Sequence, residues 1–221
     1  MSLLVTFEGV EGSGKTTQIQ RVRKYLNRKG IRCIVTREPG GTRIGEKIRK
    51  ILLSPKHREI NPLSELLLYE AARSQHVKEI IQPRSRANLV ILCDRFSDAS
   101  LAYQGYGRRV PLNCVKTLNA LATGNLSPDL TFLLDCPTSL GLKRAVRRNV
   151  LQGREREGRF ELEKARFHQR VRRGYLSIAK KEPERVKVID TRRGTGKVFE
   201  EIRKTLDEWI EAKGKAVQGK R

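Results

Sequence analysis

The sequence predicts an α/β fold in which a parallel sheet carries helices on both faces. Three observations predict it. Strand-like runs alternate with helical patterns along the 221 residues, as βαβ units require. Two of the strand runs, 89–93 (Leu-Val-Ile-Leu-Cys) and 130–134, are almost unbroken apolar stretches, the pattern of strands covered on both faces. The first strand also runs into a glycine-rich loop that opens a helix.

Taken in order, residues 3–8 read as a strand that ends at Gly9, and 16–29 as a helix ended by Gly30. A second strand, 32–36, is stopped by Pro39-Gly40-Gly41. Ile44, Ile48, Ile51 and Leu52 give 44–53 a helical period, and Pro55 follows. A long helical pattern over 63–82 is closed by Pro83. After the strand 89–93 come helices at 96–104 and 112–122, then the strand 130–134. The helix 140–151 is basic, 161–181 is amphipathic, 186–189 is a last strand and 197–213 a last amphipathic helix. The segment 147–159, crowded with Arg, Glu and Gly, reads as a flexible basic loop. No repeat or low-complexity linker divides the chain, so 1–221 is read as one domain with a small lid at about 147–160.

Composition bounds the function. At 38% hydrophobic the chain can build a core, and no apolar run approaches the roughly 20 residues that span a bilayer. Residues 1–5 enter a strand-like run without the basic start and cleavage site of a signal peptide, so a cytoplasmic protein is expected. Cys33, Cys93, Cys114 and Cys136 include no Cys-x-x-Cys pair and are read as free thiols, not zinc ligands. The 47 Lys+Arg against 24 Asp+Glu give a net charge of +23. The excess is densest over 142–181 and does not form a terminal arm. Such a charge suits anionic ligands. The aromatic-interleaved basic patch of a single-strand platform is missing, so nucleic acid is not an expected partner.

Gly9-Val10-Glu11-Gly12-Ser13-Gly14-Lys15-Thr16 satisfies Gly-x4-Gly-Lys-[Ser/Thr], and Thr17 extends it into the helix. Its glycines let backbone N–H groups curl around phosphate oxygens, and the helix points its positive end at them. In such a loop Lys15 reaches the β- and γ-phosphates and the Thr16 hydroxyl serves Mg²⁺. Asp94, at the end of a buried strand, is a candidate partner for the same ion, and Arg95 beside it would sit over the phosphates. The guanine motif of GTPase switches and the Asp-Glu of many motor ATPases are both missing, which favours a kinase acting on a nucleotide.

Three further segments carry a resemblance. They are Thr36-Arg37-Glu38-Pro39-Gly40-Gly41-Thr42, then Leu66-Leu67-Leu68-Tyr69-Glu70-Ala71-Ala72-Arg73-Ser74-Gln75-His76, then Asp94-Arg95-Phe96-Ser97-Asp98-Ala99-Ser100-Leu101-Ala102-Tyr103-Gln104-Gly105. With the phosphate loop, and in this order, they resemble the bacterial thymidylate kinase (dTMP kinase) family over nearly the whole chain. The resemblance implies a P-loop nucleoside monophosphate kinase fold with a five-stranded parallel sheet and a lid. It implies transfer of the γ-phosphoryl of Mg·ATP to dTMP, giving dTDP for dTTP synthesis, in a homodimer. It places Glu11 near the sugar 3′-hydroxyl, Tyr69 stacked on thymine, Arg73 on the base, and Arg95 on the dTMP phosphate. Ser100 and Gln104 fall near the base, and Tyr103 crowds the 2′ position. An arginine donating to thymine O4 disfavours the amino group of cytosine. Tyr69 could equally be core, and Arg73 an ion-pair partner of Glu70. Glu38 is favoured as a site residue by the Pro39-Gly40-Gly41 turn that fixes the chain beside it. Arg37 and Arg43 stay open as phosphate contacts, and His76 is read as structural.

In this family an arginine comes to the transferring phosphoryl from the phosphate loop or from the lid. Val10-Glu11-Gly12-Ser13 contains none, so the lid is expected to supply it. Arg154 is the first candidate and Arg159, before Phe160-Glu161, the second. Arg148 and Arg156 remain in contention, because residues 149–153 look like an insertion and Gly158 stands where the family usually has an acid. The alternatives to a dTMP kinase are another nucleoside or nucleotide kinase and, more distantly, a nucleic-acid-binding P-loop ATPase.

Overall fold

Strands β1 (Leu3–Glu8), β2 (Cys33–Arg37), β3 (Val90–Asp94), β4 (Leu130–Asp135) and β5 (Val186–Asp190) form one parallel sheet in the order β2-β3-β1-β4-β5. The computed structural model describes residues 2–151 and 158–218, with the side chains at 148, 149 and 213–218 set aside. Helices α1 (Lys15–Arg28), α2 (Arg43–Leu53), α3 (Pro62–His76), α4 (Ser97–Ser100), α5 (Leu112–Thr123), α6 (Thr138–Leu151), α7 (Ala165–Lys181) and α8 (Thr195–Gln218) flank it.

Both faces of the sheet are covered, as the apolar runs require. Leu3, Val5 and Phe7 of β1 point into a core shared with Ile19, Val22 and Leu26 of α1 and Ile202 and Leu206 of α8. Leu4 points the other way, to Ile91, Cys93, Phe96, Val77 and Ile81. A third cluster gathers Tyr103, Phe160, Phe167, Val171 and Tyr175 beside the end of β1. The register aligns Phe7 and Arg37 with Asp94. The residues that follow β1, β2 and β3 therefore emerge at one level. β1 has β3 on one side and β4 on the other, the chain crosses over it between those two strands, and a crevice opens at such a switch point.

Three helices depart from the sequence reading. The pattern over 63–82 is α-helical only to His76, then widens to a π-helical turn (Val77–Ile81) and a 3₁₀ turn (Gln82–Arg84). Pro83 has no N–H to continue the ladder. The helix expected over 96–104 is one α-turn, Ser97–Ser100, followed by a π-helical turn, Leu101–Gly107. Such widened turns are common at functional sites, and this one carries Tyr103 and Gln104. The helix expected from 161 begins at Ala165. The loop read over 147–159 is corrected at both described ends. Helix α6 continues to Leu151, and Arg159 is buried.

Candidate active site

The phosphate loop packs too tightly for side chains at two glycines. Gly12 has φ +67, and a Cβ there would lie 2.0 Å from the carbonyl oxygen of Gly141. A Cβ on Gly141 would lie 2.4 Å from the carbonyl oxygen of Glu11. The loop and α6 therefore meet backbone to backbone. Gly14, with φ +98, is the N-cap of α1, where only glycine turns the chain without strain.

A cleft of about 670 Å³ runs over this loop and is lined by Gly12, Ser13, Gly14, Lys15, Thr16 and Thr17. Gly9 and Val10 lie beneath, and their carbonyls each accept from Lys15 Nζ at 3.0 Å. Burial, then the nearby Arg95, lowers the Lys15 ammonium to about 8. Thr16 Oγ1 donates to Asp94 Oδ2 at 2.9 Å on the cleft wall. Two hard oxygen ligands side by side fit Mg²⁺, which keeps waters and substrate phosphates as its other ligands. Among the described residues no group of three or more His, Cys, Asp or Glu could form an all-protein metal cage.

Across the cleft Arg95 has φ 72, an uncommon backbone for a non-glycine residue that directs its side chain back over the loop. Its Nη2 donates to Glu11 Oε1 at 3.1 Å and Tyr103 Oη at 3.0 Å, and its Nη1 to Tyr175 Oη at 3.0 Å. Tyr175 donates in turn to Glu8 Oε2 at 2.7 Å, and Glu8 Oε1 accepts from the Phe96 N–H. Burial, then the neighbouring Asp98, raises the Glu8 carboxyl to about 7. Burial pushes Glu11 up, but His168, Arg95, Lys15 and Tyr103 around it hold it down to about 2. His168 Nδ1 stands 3.6 Å from Glu11 Oε2, beyond hydrogen-bond reach. Both ring nitrogens and that oxygen are buried without a hydrogen-bond partner.

At the far end Tyr69 lines the cleft with its ring 6.5 Å from that of Phe160. Arg73 lies one layer deeper, 1% exposed. Its Nε donates to Glu38 at 2.7 Å, its Nη1 to Glu70, Ser100 and Asn119, and its Nη2 to the Phe96 carbonyl at 3.0 Å. It is thus the ion-pair partner of Glu70 and also stands beneath Ser100, which lines the cleft with Glu38, Tyr103 and Gln104. His76 is fully buried between Thr36 (2.6 Å) and Glu38 (2.8 Å), so it braces the carboxylate that braces Arg73. Arg37 lines the cleft paired with Glu46 at 3.0 Å, whereas Arg43 is exposed on α2.

Arg159 is 3% exposed and is held away from the cleft. Its Nη1 meets Glu65 Oε2 at 2.7 Å, its Nε donates to the Leu52 carbonyl, and its guanidinium lies 4.6 Å from the centre of the Phe160 ring. Arg154 and Arg156 lie outside the described residues, as does the Arg148 side chain. Sequence reading missed Glu8, the residue just before the phosphate loop, and Asn119, His168 and Tyr175, which reach the site from elsewhere in the chain. It also missed Arg144, Thr191, Gly194, Thr195 and Val198, which line the other end of the cleft. Arg144 alone left a signal, a cation on the basic helix following β4.

Three comparisons bear on this site. The family model described as thymidylate kinase matches residues 7–202. A thymidylate kinase of Syntrophotalea carbinolica is 53% identical over 190 residues, covering 86% of this chain and 88% of that protein. One of Geotalea uraniireducens is 54% identical over 194 residues, covering 88% and 91%. A crystal structure of thymidylate kinase from Ehrlichia chaffeensis superposes with a TM-score of 0.74 at 35% identity, covering 93% of this chain and 98% of that one.

Proposed function

The chain belongs to the thymidylate kinase family, and from that premise we propose a residue-level account of how it phosphorylates dTMP to dTDP with ATP. Its fold is the P-loop nucleoside monophosphate kinase fold. One observation carries the account. The phosphate loop and Arg95 face one cleft that continues past Tyr103 to Tyr69, a donor end and an acceptor end with positive charge between them.

ATP lies with its phosphates on the backbone N–H groups of 9–17 and on Lys15, and its nucleoside toward Arg144, Thr191 and Thr195. Thr16 and Asp94 would hold Mg²⁺, which would supply charge neutralisation on the phosphates. dTMP sits with its phosphate on Arg95, its 3′-hydroxyl toward Glu11, its 2′ carbon against Tyr103 and its base between Tyr69 and the Arg73–Ser100–Gln104 wall. The Glu11, Tyr103 and Tyr175 contacts support the Arg95 assignment, because they hold its guanidinium in one place before substrate arrives. Phosphoryl transfer asks for alignment, water exclusion and positive charge, not covalent chemistry. Lys15, Arg95 and a cation from the lid at about 147–160 supply that charge. Arg154 takes this role first, because Arg159 already has Glu65 as its partner.

The working unit is a homodimer of one-domain subunits. Exposed Leu63 and Leu67 of α3 and Leu121 of α5, two helices that pack together, support that reading. Four free thiols suit the cytoplasm, and no described helix is long and apolar enough to cross a membrane. A coupled ADP-release assay with dTMP, dUMP, dCMP, AMP and thymidine tests the substrate assignment. A strong preference for dTMP is expected, and equal rates would refute it. Sedimentation velocity tests the dimer.

A further inference from the structure

We propose that Glu65, a fully buried carboxylate that does not line the cleft, is the positioning residue that makes Gln104 read the base. The proposal rests on the placement of Gln104 beside the base given above.

Glu65 lies in the first turn of α3 and is 0% exposed. Its Oε1 accepts from Gln104 Nε2 at 2.8 Å and Arg108 Nε at 3.2 Å. Its Oε2 accepts from Arg108 Nη2 at 3.1 Å and meets Arg159 Nη1 at 2.7 Å. Two guanidinium groups bond its oxygens, and a carboxylate only accepts. The side-chain amide of Gln104 has two ends of nearly equal size and opposite polarity. Only one of its two orientations is compatible with Glu65: the NH₂ must face the carboxylate, because the reverse sets carbonyl oxygen against carboxylate oxygen. Gln104 is 1% exposed and lines the cleft, so a wrong orientation has little water to relieve it. Glu65 therefore leaves Oε1, an acceptor, as the end of Gln104 available to a ligand. A pyrimidine-2,4-dione offers an N3–H donor to such an oxygen, whereas cytosine offers a bare N3 acceptor there. Selection between the two bases thus depends on a carboxylate that touches neither. The two arginines hold Glu65 from its other side, so the carboxylate cannot turn to follow a flipped amide.

The test is the ratio of kcat/KM for dTMP to kcat/KM for dCMP at saturating ATP, measured on the full-length enzyme. Glu65→Gln keeps the shape but can donate as well as accept, which frees the Gln104 amide to turn. The ratio should fall tenfold or more, dUMP should lose as much as dTMP because it shares N3–H, and the KM for ATP should stay within twofold. Gln104→Ala should lower the ratio similarly, and adding Glu65→Gln to it should lower it no further. If Gln104→Ala lowers the ratio and Glu65→Gln does not, the proposal is overturned while the base-site reading stands. If Gln104→Ala leaves the ratio unchanged, the placement of Gln104 falls and the proposal with it. A purely structural Glu65 would lower both nucleotides equally. Should Glu65→Gln not fold, Glu65→Asp decides, because it keeps the charge that Arg108 and Arg159 need but is one methylene too short to hold Gln104 Nε2. The ratio should fall as it does in Gln104→Ala, and a folded Glu65→Asp with an unchanged ratio overturns the proposal.

Discussion

Lys15 gives its ammonium hydrogens to the Gly9 and Val10 carbonyls of its own loop. That bond set keeps a buried cation solvated and aimed at the place where phosphate charge arrives. Lys15→Met should cut kcat by roughly 10²–10³-fold, with an unchanged far-ultraviolet circular dichroism spectrum showing the fold intact. Loss of helicity would mean that the lysine holds the loop itself. Glu8 behaves differently, because burial disfavours its charge. Its folded value of about 7 lies above the ordinary 4.5, so the folded state binds a proton more tightly than the unfolded chain. The resulting stability is full below about pH 4.5 and is lost as pH rises through 7. That linkage is worth on the order of 3 kcal/mol. Glu8→Gln cannot titrate, so the unfolding free energy of the native protein minus that of the variant should fall by about this amount between pH 5 and 8 in urea titrations. A flat difference would mean that Glu8 stays charged throughout.

Helix α7 is the element that brings distant chemistry to the phosphate loop. His168 and Tyr175 lie two turns apart on one face, the first beside Glu11 and the second on Glu8 and Arg95. The π-helical turn at 101–107 does the same for Tyr103 and Gln104, and Arg170 of α7 holds its end through the Gly107 carbonyl. The lid belongs to this scale too. Arg154→Ala should lower kcat by about 10²-fold or more while raising the KM for dTMP far less, since the lid cation is needed most where charge develops. A silent Arg154→Ala beside a damaging Arg148→Ala or Arg159→Ala would move the role to the second residue.

Over the whole molecule the +23 charge is only partly spent on phosphate. Several cations of the densest stretch have protein partners. Arg172 pairs with Asp135 at 2.7 Å, Arg170 holds Gly107 and Arg159 holds Glu65. The remainder gives a positive field to a protein whose substrates are both anionic, so it should act at long range by drawing them in. Raising KCl until the Debye length shrinks from about 30 Å to about 8 Å should lower kcat/KM for both nucleotides and leave kcat at saturation nearly unchanged. A salt-independent kcat/KM would assign the surplus to the surface alone.

The sheet-and-helix order, the phosphate loop and the pair Asp94-Arg95 at the end of a buried strand were legible in local spacing, because a glycine pattern or an apolar run carries them without knowledge of the rest. Tyr103 and Gln104 were legible only through the resemblance of 94–105 to the thymidylate kinase family. Only the tertiary structure decided how those residues are held. Arg73 emerged as a buried hub because Glu38 and Asn119 come to it from 35 and 46 residues away. Arg95 is fixed by Tyr175, 80 residues on. Arg159 reads locally as one more lid cation, yet its guanidinium sits on Glu65. A buried charge takes whichever partner the packing brings within hydrogen-bond reach, and the order of residues in the chain does not say which one that is.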